Sequence, residues 1–430
     1  MKHIDRQILQ IALPSIVSNI TVPLLGLIDV AIVGHLGSPA YIGAIAVGGM
    51  LFNIIYWIFG FLRMGTSGMT SQAYGKRDLP EIVRLLMRSV GIGLAVALCL
   101  ILLQVPIRQT AFLIIHPTAE VREMATLYFH ICIWGAPAML GLYGLSGWFI
   151  GMQNSRIPMY IAITQNIVNI IASLSFVCFF KMKVEGVAFG TLIAQYAGFI
   201  MGLVLWMSRY GKLKKYILWK GVLQKEAMMR FFQVNRDIFL RTLCLVTVTL
   251  FFTSAGASQG EIILAVNTLL MQLFTLFSYV MDGFAYAGEA LSGRYIGARN
   301  RKAFTNTTRH LFIWGGWLAA FFTLVYALGG NAFLGLLTDN KDVVSAAGTY
   351  FYWALAIPVA GIAAFIWDGI FIGATATRGM LASMAIAAIS FFVVYYGLRP
   401  VLGNHALWLA FLVYLAMRGV VQTLLSPKIR

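Results

Sequence analysis

The stretch SVGIGLAVALCLILLQVPI, residues 89–107, carries no charged side chain. A helix needs about 20 residues of this kind to cross the hydrocarbon layer of a membrane. Residues 186–208, 242–260 and 379–398 are equally free of charge. None of these stretches alternates polar and apolar residues as the strands of a membrane barrel do. Each one therefore predicts a membrane-spanning helix.

The composition of the whole chain agrees with this interpretation. Of its 430 residues, 60% are hydrophobic and only 11% are charged, and the mean hydropathy is +0.82. A soluble domain has roughly a quarter of its residues charged. So few charges could not cover a water-facing surface on a chain of this length. The sequence predicts an all-α polytopic membrane protein.

Twelve apolar segments follow one another along the chain, and each predicts one membrane crossing. They cover about residues 7–34, 43–74, 80–108, 124–151, 157–180, 185–208, 233–258, 262–293, 302–330, 344–373, 376–398 and 403–426. The longest polar stretch falls at the midpoint of the chain. We therefore expect a six-helix N-lobe over residues 1–210, a basic linker over 211–232 and a six-helix C-lobe over 233–430.

The basic residues are distributed unevenly between the two ends of these segments. If the N-terminus is cytoplasmic, 24 of the 32 Lys and Arg fall on the cytoplasmic side and six on the other, while Arg63 and Arg241 lie within spans. By the positive-inside rule, both termini are predicted to be cytoplasmic. The net charge of +17 then lies in short loops beside the membrane. It favours contact with anionic lipid head groups over nucleic acid.

Neither metal binding nor catalysis has a recognisable motif. The four cysteines each stand alone in an apolar run, with no CxxC pair and no Cys/His cluster. They predict small core residues rather than disulfides or metal ligands, and no cofactor is expected. The six histidines are scattered, and no HExxH motif occurs. An enzyme is therefore not favoured, and no catalytic residue is predicted.

The two halves of the chain repeat each other. Four positions recur at one constant offset in the numbering, which is 222; the pairs are Gly75 and Gly297, Arg77 and Arg299, Gly147 and Gly369, and Gly151 and Gly373. Because each six-helix copy begins on the same side, the pattern predicts a parallel repeat with pseudo-symmetric lobes. Transporters of this type place their sites within or between the halves, and access alternates as the halves rock.

Several motifs resemble the MATE (multidrug and toxic compound extrusion) family. The first is PxxxxNxxxPLLGLIDVAIVGHLG, from Pro14 to Gly37. Others are FGFLRMGTSGMTSQAYG (59–75), AVNTLLMQLFTLFSYVMDGFAYAGEALSGRYIGA (265–298), DGIFIGAT (368–375) and GNHALWLA (403–410), which are similar to the DNA-damage-inducible F (DinF) branch. The resemblance implies two six-helix lobes that extrude drug-like, often cationic amphiphiles, driven by inward flow of H⁺ or Na⁺.

Asp29 is the first candidate for the coupling site. It lies six residues before His35, or about 9 Å inside the predicted outer end of the first span. Charges within a span are costly, so such a residue is a functional hypothesis in its own right. The resemblance implies that Asp29 binds the coupling proton and that Pro14 marks a bend in the same helix. The alternative is a structural carboxyl group that caps a kink.

Asn169, Thr191 and Ser173 extend this candidate site. The family usually carries Asn-x-x-x-Asp in the fifth helix, and the position that matches the acid is Ser173 in this chain. The resemblance implies that Asn169 and Thr191 lie beside Asp29, although ordinary interhelical hydrogen bonding would explain them as well. Asp29 is then the only acid predicted at this site. That favours H⁺ over Na⁺, since a hard cation needs several oxygen ligands.

A second group consists of Arg63, Asp282 and Glu289. By the 222 offset Arg63 corresponds to position 285, between Asp282 and Glu289. The two acids are seven residues apart and share one helix face. We predict an interlobe ion pair that closes the cytoplasmic side. The alternatives are pairing within each lobe, or a local pair of Glu289 with Arg294.

Asp368, in the tenth span, is a candidate ion or substrate site of the C-lobe. Asp237 and Arg241 stand four residues apart near a predicted helix start, which favours a local pair. Together with these residues, the resemblance implies a multidrug efflux antiporter that exchanges H⁺, or alternatively Na⁺, for amphiphilic compounds, and we expect it to work as a monomer. A lipid-linked saccharide flippase of the same superfamily is the alternative function.

Overall fold

Residues 2–430 are described by a computed structural model, and every regular element within them is helical. The α-helices of this range, in chain order, are α1 (His3–Gly34), α2 (Pro39–Ile58), α3 (Phe61–Lys76), α4 (Leu79–Leu102), α5 (Gln104–Ile115), α6 (Ala119–Cys132), α7 (Ala136–Gly151), α8 (Arg156–Cys178), α9 (Val184–Tyr210), α10 (Lys225–Ala257), α11 (Glu261–Gly297), α12 (Arg301–Leu337), α13 (Lys341–Gly373), α14 (Thr377–Leu402) and α15 (Asn404–Leu425). Short 3₁₀ helices cover Ile133–Gly135, Gly211–Tyr216 and Ser426–Lys428.

Twelve stretches of the described chain are long and apolar enough to cross a membrane. The second combines α2 with α3, and the fourth combines α6 with α7 through the 3₁₀ turn Ile133–Gly135. The remaining stretches contain one α-helix each. The predicted all-α polytopic fold with twelve spans is confirmed.

The ends of two segments differ from the prediction. The third was predicted to reach residue 108, but α4 ends at Leu102 and the separate helix α5 follows. With 12 residues α5 is about 18 Å long, too short to cross the membrane. The predicted linker 211–232 is partly helical, since it begins with Gly211–Tyr216 and α10 already starts at Lys225. The polar residues after Lys225 therefore lie within α10, although they interrupt the apolar pattern from which the span was predicted.

The repeat is visible in backbone conformation. Arg77 and Arg299, which the 222 offset relates, have left-handed φ angles of 57° and 56°. Gln153 and Thr375, separated by the same offset, have φ angles of 67° and 53°. Such angles are uncommon outside glycine. Their recurrence shows that the turns after corresponding helices are built alike in the two halves.

The repeat also governs helix packing. Gly147 of α7 lies against the backbone carbonyl of Arg63 in α3, so closely that a Cβ atom at residue 147 would overlap the oxygen. Gly369 of α13 lies in the same way against the carbonyl of Ala285 in α11. At the 222 offset Gly147 corresponds to Gly369, and Arg63 corresponds to Ala285. The repeated glycines therefore serve the same close helix crossing in each half.

The chain forms two compact units. The N unit is Val17–Asn235, and the C unit consists of the segment up to Ile16 together with Arg236–Arg430. These units do not coincide with the predicted lobes, since the start of α1 belongs with the C unit and the linker belongs with the N unit.

Long-range hydrogen bonds within the C unit hold the start of α1. Asp5 Oδ1 accepts from His310 Nδ1 at 2.8 Å and from Trp314 Nε1 at 3.2 Å. Tyr295 donates its hydroxyl hydrogen to Gln7 at 2.7 Å. These contacts join α1 to α11 and α12, which explains why the segment up to Ile16 belongs to this unit.

Arg88 of α4 holds the linker within the N unit. Its buried guanidinium donates to the backbone carbonyls of Val222 at 2.7 Å and Gly221 at 2.9 Å, and pairs with Glu81 at 2.8 Å. A buried cation needs such partners. The linker is thus attached to α4 at one defined point.

Candidate functional site

Three helices of the N unit bring Asp29, Asn169 and Thr191 together. Asp29 of α1 is 5% exposed. Its Oδ1 accepts from Asn169 Nδ2 of α8 at 2.9 Å, and its Oδ2 accepts from Thr191 Oγ1 of α9 at 3.2 Å. The hydrogen-bond partners of this carboxyl group are therefore neutral. Side chains from three separate parts of the sequence meet at one buried carboxyl group.

Ser173 completes this group, which we call the Asp29 cluster: Asp29, Asn169, Ser173 and Thr191. One helical turn after Asn169, the buried Ser173 donates its hydroxyl hydrogen to Asn169 Oδ1 at 3.4 Å. Gly190 of α9 lies directly against Ser173, so a larger residue there would separate α8 from α9. The four residues that the sequence grouped do lie together. Their role in coupling stays a prediction.

The Asp29 cluster can satisfy both protonation states of its carboxyl group. When ionised, Asp29 accepts from Asn169 and Thr191. When Oδ2 carries a proton, it can donate to Thr191 Oγ1, whose own hydrogen can turn to Asn169 Oδ1 at 3.4 Å. A hydroxyl group serves as donor and acceptor and rotates to suit. A proton can therefore be gained or lost here without leaving a buried polar group unpaired.

Tyr128 was not singled out by the sequence. This buried residue of α6 lies beside Thr191 and Cys132 and within electrostatic range of Asp29. Gly48 of α2 leaves room for its ring, since a Cβ atom at residue 48 would overlap it. A tyrosine within an apolar run carries no signal that separates a site residue from an ordinary core residue. Only the packing of α6 identifies it.

Asp368 of α13 has surroundings of the opposite kind. In the C unit its Oδ2 pairs with Arg241 of α10 at 2.6 Å and also with Arg418 of α15. Its Oδ1 accepts from Gln422 Nε2 at 2.7 Å. All four side chains are buried. This carboxylate is held by two guanidinium groups, which favour its charged form.

The predicted local pair of Asp237 with Arg241 is wrong. Asp237 accepts from Arg236 at 3.1 Å and from Thr377 at 2.9 Å. Arg241 is instead bound to Asp368, 127 positions away along the chain. Two residues four apart on a helix can form an ion pair. Here the buried Arg241 pairs instead with the buried Asp368, which lies on another helix.

The remaining candidates occupy separate units. Arg63 lies on α3 of the N unit, while the half-buried Asp282 and the buried Glu289 lie on α11 of the C unit. The interlobe gate stays a prediction. Pro14 lies within α1, whose helical assignment runs unbroken from His3 to Gly34. Across residues 2–430, no group of three or more His, Cys, Asp or Glu side chains is arranged to hold a metal ion.

The twelve helical spans of residues 2–430, repeated as two halves, define a polytopic membrane protein, and comparison with known proteins identifies its class. The MatE family model matches the chain twice, over residues 14–174 and 238–398. The repeat therefore extends well beyond the motifs from which it was predicted. The chain belongs to the MATE family of membrane transporters.

Among curated relatives, the chain is similar to DNA damage-inducible protein F of Escherichia coli strain K12. The two are 39% identical over 420 residues, which cover 97% of this chain and 90% of that protein. The chloroplastic protein DETOXIFICATION 44 of Arabidopsis thaliana is 24% identical, over 97% of this chain and 81% of that protein. The predicted family and its DNA-damage-inducible F branch are confirmed.

Solved structures agree on the fold. A crystal structure of a MATE protein in the bent conformation matches with a TM-score of 0.90 at 18% identity, covering 100% of this chain and 96% of that one. The bent form of the Vibrio cholerae MATE transporter VcmN matches with a TM-score of 0.87 at 17% identity, covering 99% and 97%. At such identities the likeness concerns the fold alone.

Proposed function

We propose that this protein is a secondary active multidrug efflux antiporter that exports amphiphilic, often cationic organic compounds in exchange for H⁺ by alternating access. Membership in the MATE family supports efflux. A relative that is 21% identical over 94% of this chain is called a probable multidrug resistance protein, NorM, in Synechococcus. The 60% apolar chain would work in the bacterial inner membrane, with both termini cytoplasmic and as a monomer.

The observation that carries the proposal is the buried carboxyl group of Asp29 among neutral donors. A carboxylate can exchange protons during transport only if no fixed cation holds it in the charged form. The hydrogen bonds to Asp29 come from Asn169 and Thr191, whereas Asp368 is bound by two arginines. Of these two buried acids, Asp29 therefore fits a titrating role and Asp368 a structural one.

The same geometry supports H⁺ over Na⁺. A hard cation needs several oxygen ligands. At the Asp29 cluster, however, Asn169 directs its NH₂ group at the carboxylate, 2.9 Å from Oδ1. A donor hydrogen there would repel a bound cation. Ser173 supplies a hydroxyl group, already donated to Asn169, where a second carboxylate would strengthen a cation site.

The interlobe gate remains part of the proposal. Arg63 would pair with Asp282 or Glu289 when the cytoplasmic side is closed. The test is transport by Arg63→Glu and by the double variant Arg63→Glu/Glu289→Arg. Recovery in the double variant is expected, and a double variant as inactive as the single one would exclude this pair.

Coupling is tested with purified protein in proteoliposomes that contain a fluorescent cationic dye. Dye movement is followed first under an imposed pH gradient and then under a Na⁺ gradient at equal pH. We expect the pH gradient to drive transport and the Na⁺ gradient to have no effect. Response to Na⁺ alone would contradict H⁺ coupling. Absence of dye transport, with altered lipid-linked precursors in cells lacking the protein, would favour the flippase.

A further inference from the structure

Two cavities of equal size lie in the two units, and their charges differ. Each has a volume of about 270 Å³. The N-unit cavity is lined by three basic residues (Lys76, Arg88 and Arg230) and three acidic residues (Asp78, Glu81 and Glu226). The C-unit cavity is lined by three arginines (Arg299, Arg301 and Arg430) and three apolar residues (Ile296, Phe304 and Ile429) among others, with no acidic side chain. Of the two, only the C-unit cavity has a strong excess of positive charge.

The difference arises at the same turn of the repeat. Residues 76–81 of the N unit read KRDLPE, and residues 298–303 of the C unit read ARNRKA. At the 222 offset Asp78 corresponds to Asn300, Leu79 to Arg301 and Glu81 to Ala303. The C-unit turn thus lacks the two acids and Lys76 but has two further cations, Arg301 and Lys302. The two turns have similar backbone conformations but different net charges.

The C-unit turn has a fixed geometry. Arg299 has a left-handed φ of 56°, and Asn300 donates its backbone N–H to the carbonyl of Tyr295 at 2.9 Å. Asn300 Oδ1 accepts from the backbone N–H of Ala303 at 3.1 Å and so caps α12. Arg299 and Arg301 therefore lie at the N-terminus of α12.

The location and the apolar lining indicate which anion would bind. The cavity lies between the spans of α11 and α12, so it is at a membrane surface. Phe304, 3% exposed, and the half-buried Ile296 and Ile429 line it beside the arginines. Arginine recognises phosphate through paired N–H donors. Guanidinium groups next to apolar side chains at the ends of two spans match a phosphodiester attached to acyl chains.

We propose that this C-unit cavity binds the phosphate group of an anionic phospholipid. Arg299 and Arg301 would contact the phosphate, while Ile296, Phe304 and Ile429 would contact the first part of the acyl chains. The site is separate from the Asp29 cluster and does not depend on the coupling ion. In the N unit, the acids at the corresponding turn would repel the same head group.

The test compares lipids by their effect on the thermal unfolding midpoint of the purified full-length chain in detergent. Dioleoyl phosphatidylglycerol is titrated against dioleoyl phosphatidylcholine, which has the same acyl chains and no net charge. For the wild type we expect stabilisation at lower concentrations of phosphatidylglycerol. High salt should reduce the difference, because it screens the head group.

The variant Arg299→Asn/Arg301→Leu removes the two proposed phosphate ligands. Asparagine tolerates the left-handed backbone at residue 299, and leucine already occupies the position that corresponds to 301. We expect the apparent affinity for phosphatidylglycerol to fall roughly 30-fold, since each basic side chain near an anionic surface contributes about fivefold. The control Lys76→Gln/Arg77→Asn removes two charges from the corresponding N-unit turn and should leave the lipid preference unchanged.

Three results would overturn the proposal. The first is an unchanged lipid preference in Arg299→Asn/Arg301→Leu, and the second is an equal loss in the Lys76→Gln/Arg77→Asn control. The third is full stabilisation by glycerol 3-phosphate, which would mean that a free phosphate, not a lipid, occupies the cavity. If the double variant does not fold, Arg301→Leu alone and the salt dependence of the wild type decide the question.

Discussion

The Asp29 cluster of the N unit and its counterpart in the C unit occupy the same positions of the repeat but have opposite chemistry. At the 222 offset Asp29 corresponds to Phe251, Asn169 to Phe391, Ser173 to Tyr395 and Thr191 to Val413. The ring centroid of Phe251 lies 5.9 Å from that of Phe391 and 5.3 Å from that of Tyr395. A hydrogen-bonded carboxyl group in one unit is thus replaced by an aromatic cluster in the other.

The buried acid of the C unit has no counterpart either. Asp368 corresponds to Ser146, Arg418 to Tyr196 and Arg241 to Asn19. The close glycine contacts and the turns recur at the 222 offset because both units need them to pack their helices. The buried charges do not recur at this offset, because each one needs stabilising partners that are present in only one unit. The two units therefore share their helix packing but differ in their buried polar residues.

The largest expected effect is that of Asp29→Asn, which preserves the size of the side chain and removes the titrating group. We expect proton-driven dye transport in proteoliposomes to fall to the level of protein-free vesicles. The unfolding midpoint should stay close to that of the wild type, because an amide can still accept from Asn169 or Thr191. The control Asp78→Asn changes an acid at the start of α4 and should retain transport. Undiminished pH-driven transport by Asp29→Asn would show that the proton binds elsewhere.

Asp368→Asn should act on stability, since it removes the anion that faces two buried guanidinium groups. Breaking a buried ion pair from one side costs about 3–5 kcal/mol. We expect a lower unfolding midpoint and a lower yield of folded protein, with partial recovery in Asp368→Asn/Arg418→Gln. A stable Asp368→Asn variant that has lost only its response to the pH gradient would instead make Asp368 a coupling residue.

Thr191→Val tests whether the threonine hydroxyl serves both protonation states of Asp29. Valine has the same shape but can neither donate nor accept, so one hydrogen bond of about 1 kcal/mol is lost. Pairing of Asp29 with Asn169 would remain. We expect proton-driven transport to slow roughly fivefold, with a changed dependence on pH. Val413→Thr makes the reciprocal change in the C unit and should not alter the pH dependence of transport. An identical pH profile in Thr191→Val and wild type would argue against this role.

The smallest effect is expected in the aromatic cluster. Phe251→Leu removes ring contacts worth about 1 kcal/mol beyond the buried area. The unfolding midpoint should fall by a few degrees, while the transport rate per folded molecule stays the same. Loss of transport at unchanged stability would mean that this cluster takes part in the transport cycle and is not only a core.

The extent of sequence-based prediction differs between the fold and the site. Asp29 could be recognised as a candidate because a carboxyl group within an apolar span is costly. Its association with Asn169 and Thr191 came from family resemblance, since spacing does not relate side chains that are 140 and 162 positions away from it. Tyr128 was missed for the same reason. The predicted Asp237–Arg241 pair was wrong because spacing along one helix carries no information about Asp368 on another helix.

By itself, the sequence determined that the chain has twelve apolar spans, that its two halves repeat and that several spans contain acidic residues. These features depend on the length and charge of local segments, which the hydrocarbon layer constrains directly. The tertiary structure decided that Asp29 meets neutral hydrogen-bond donors and that Asp368 meets two arginines. Such pairings depend on how helices distant in sequence are rotated against each other. Whether a buried carboxyl group can exchange a proton is decided by those neighbours, not by its own helix.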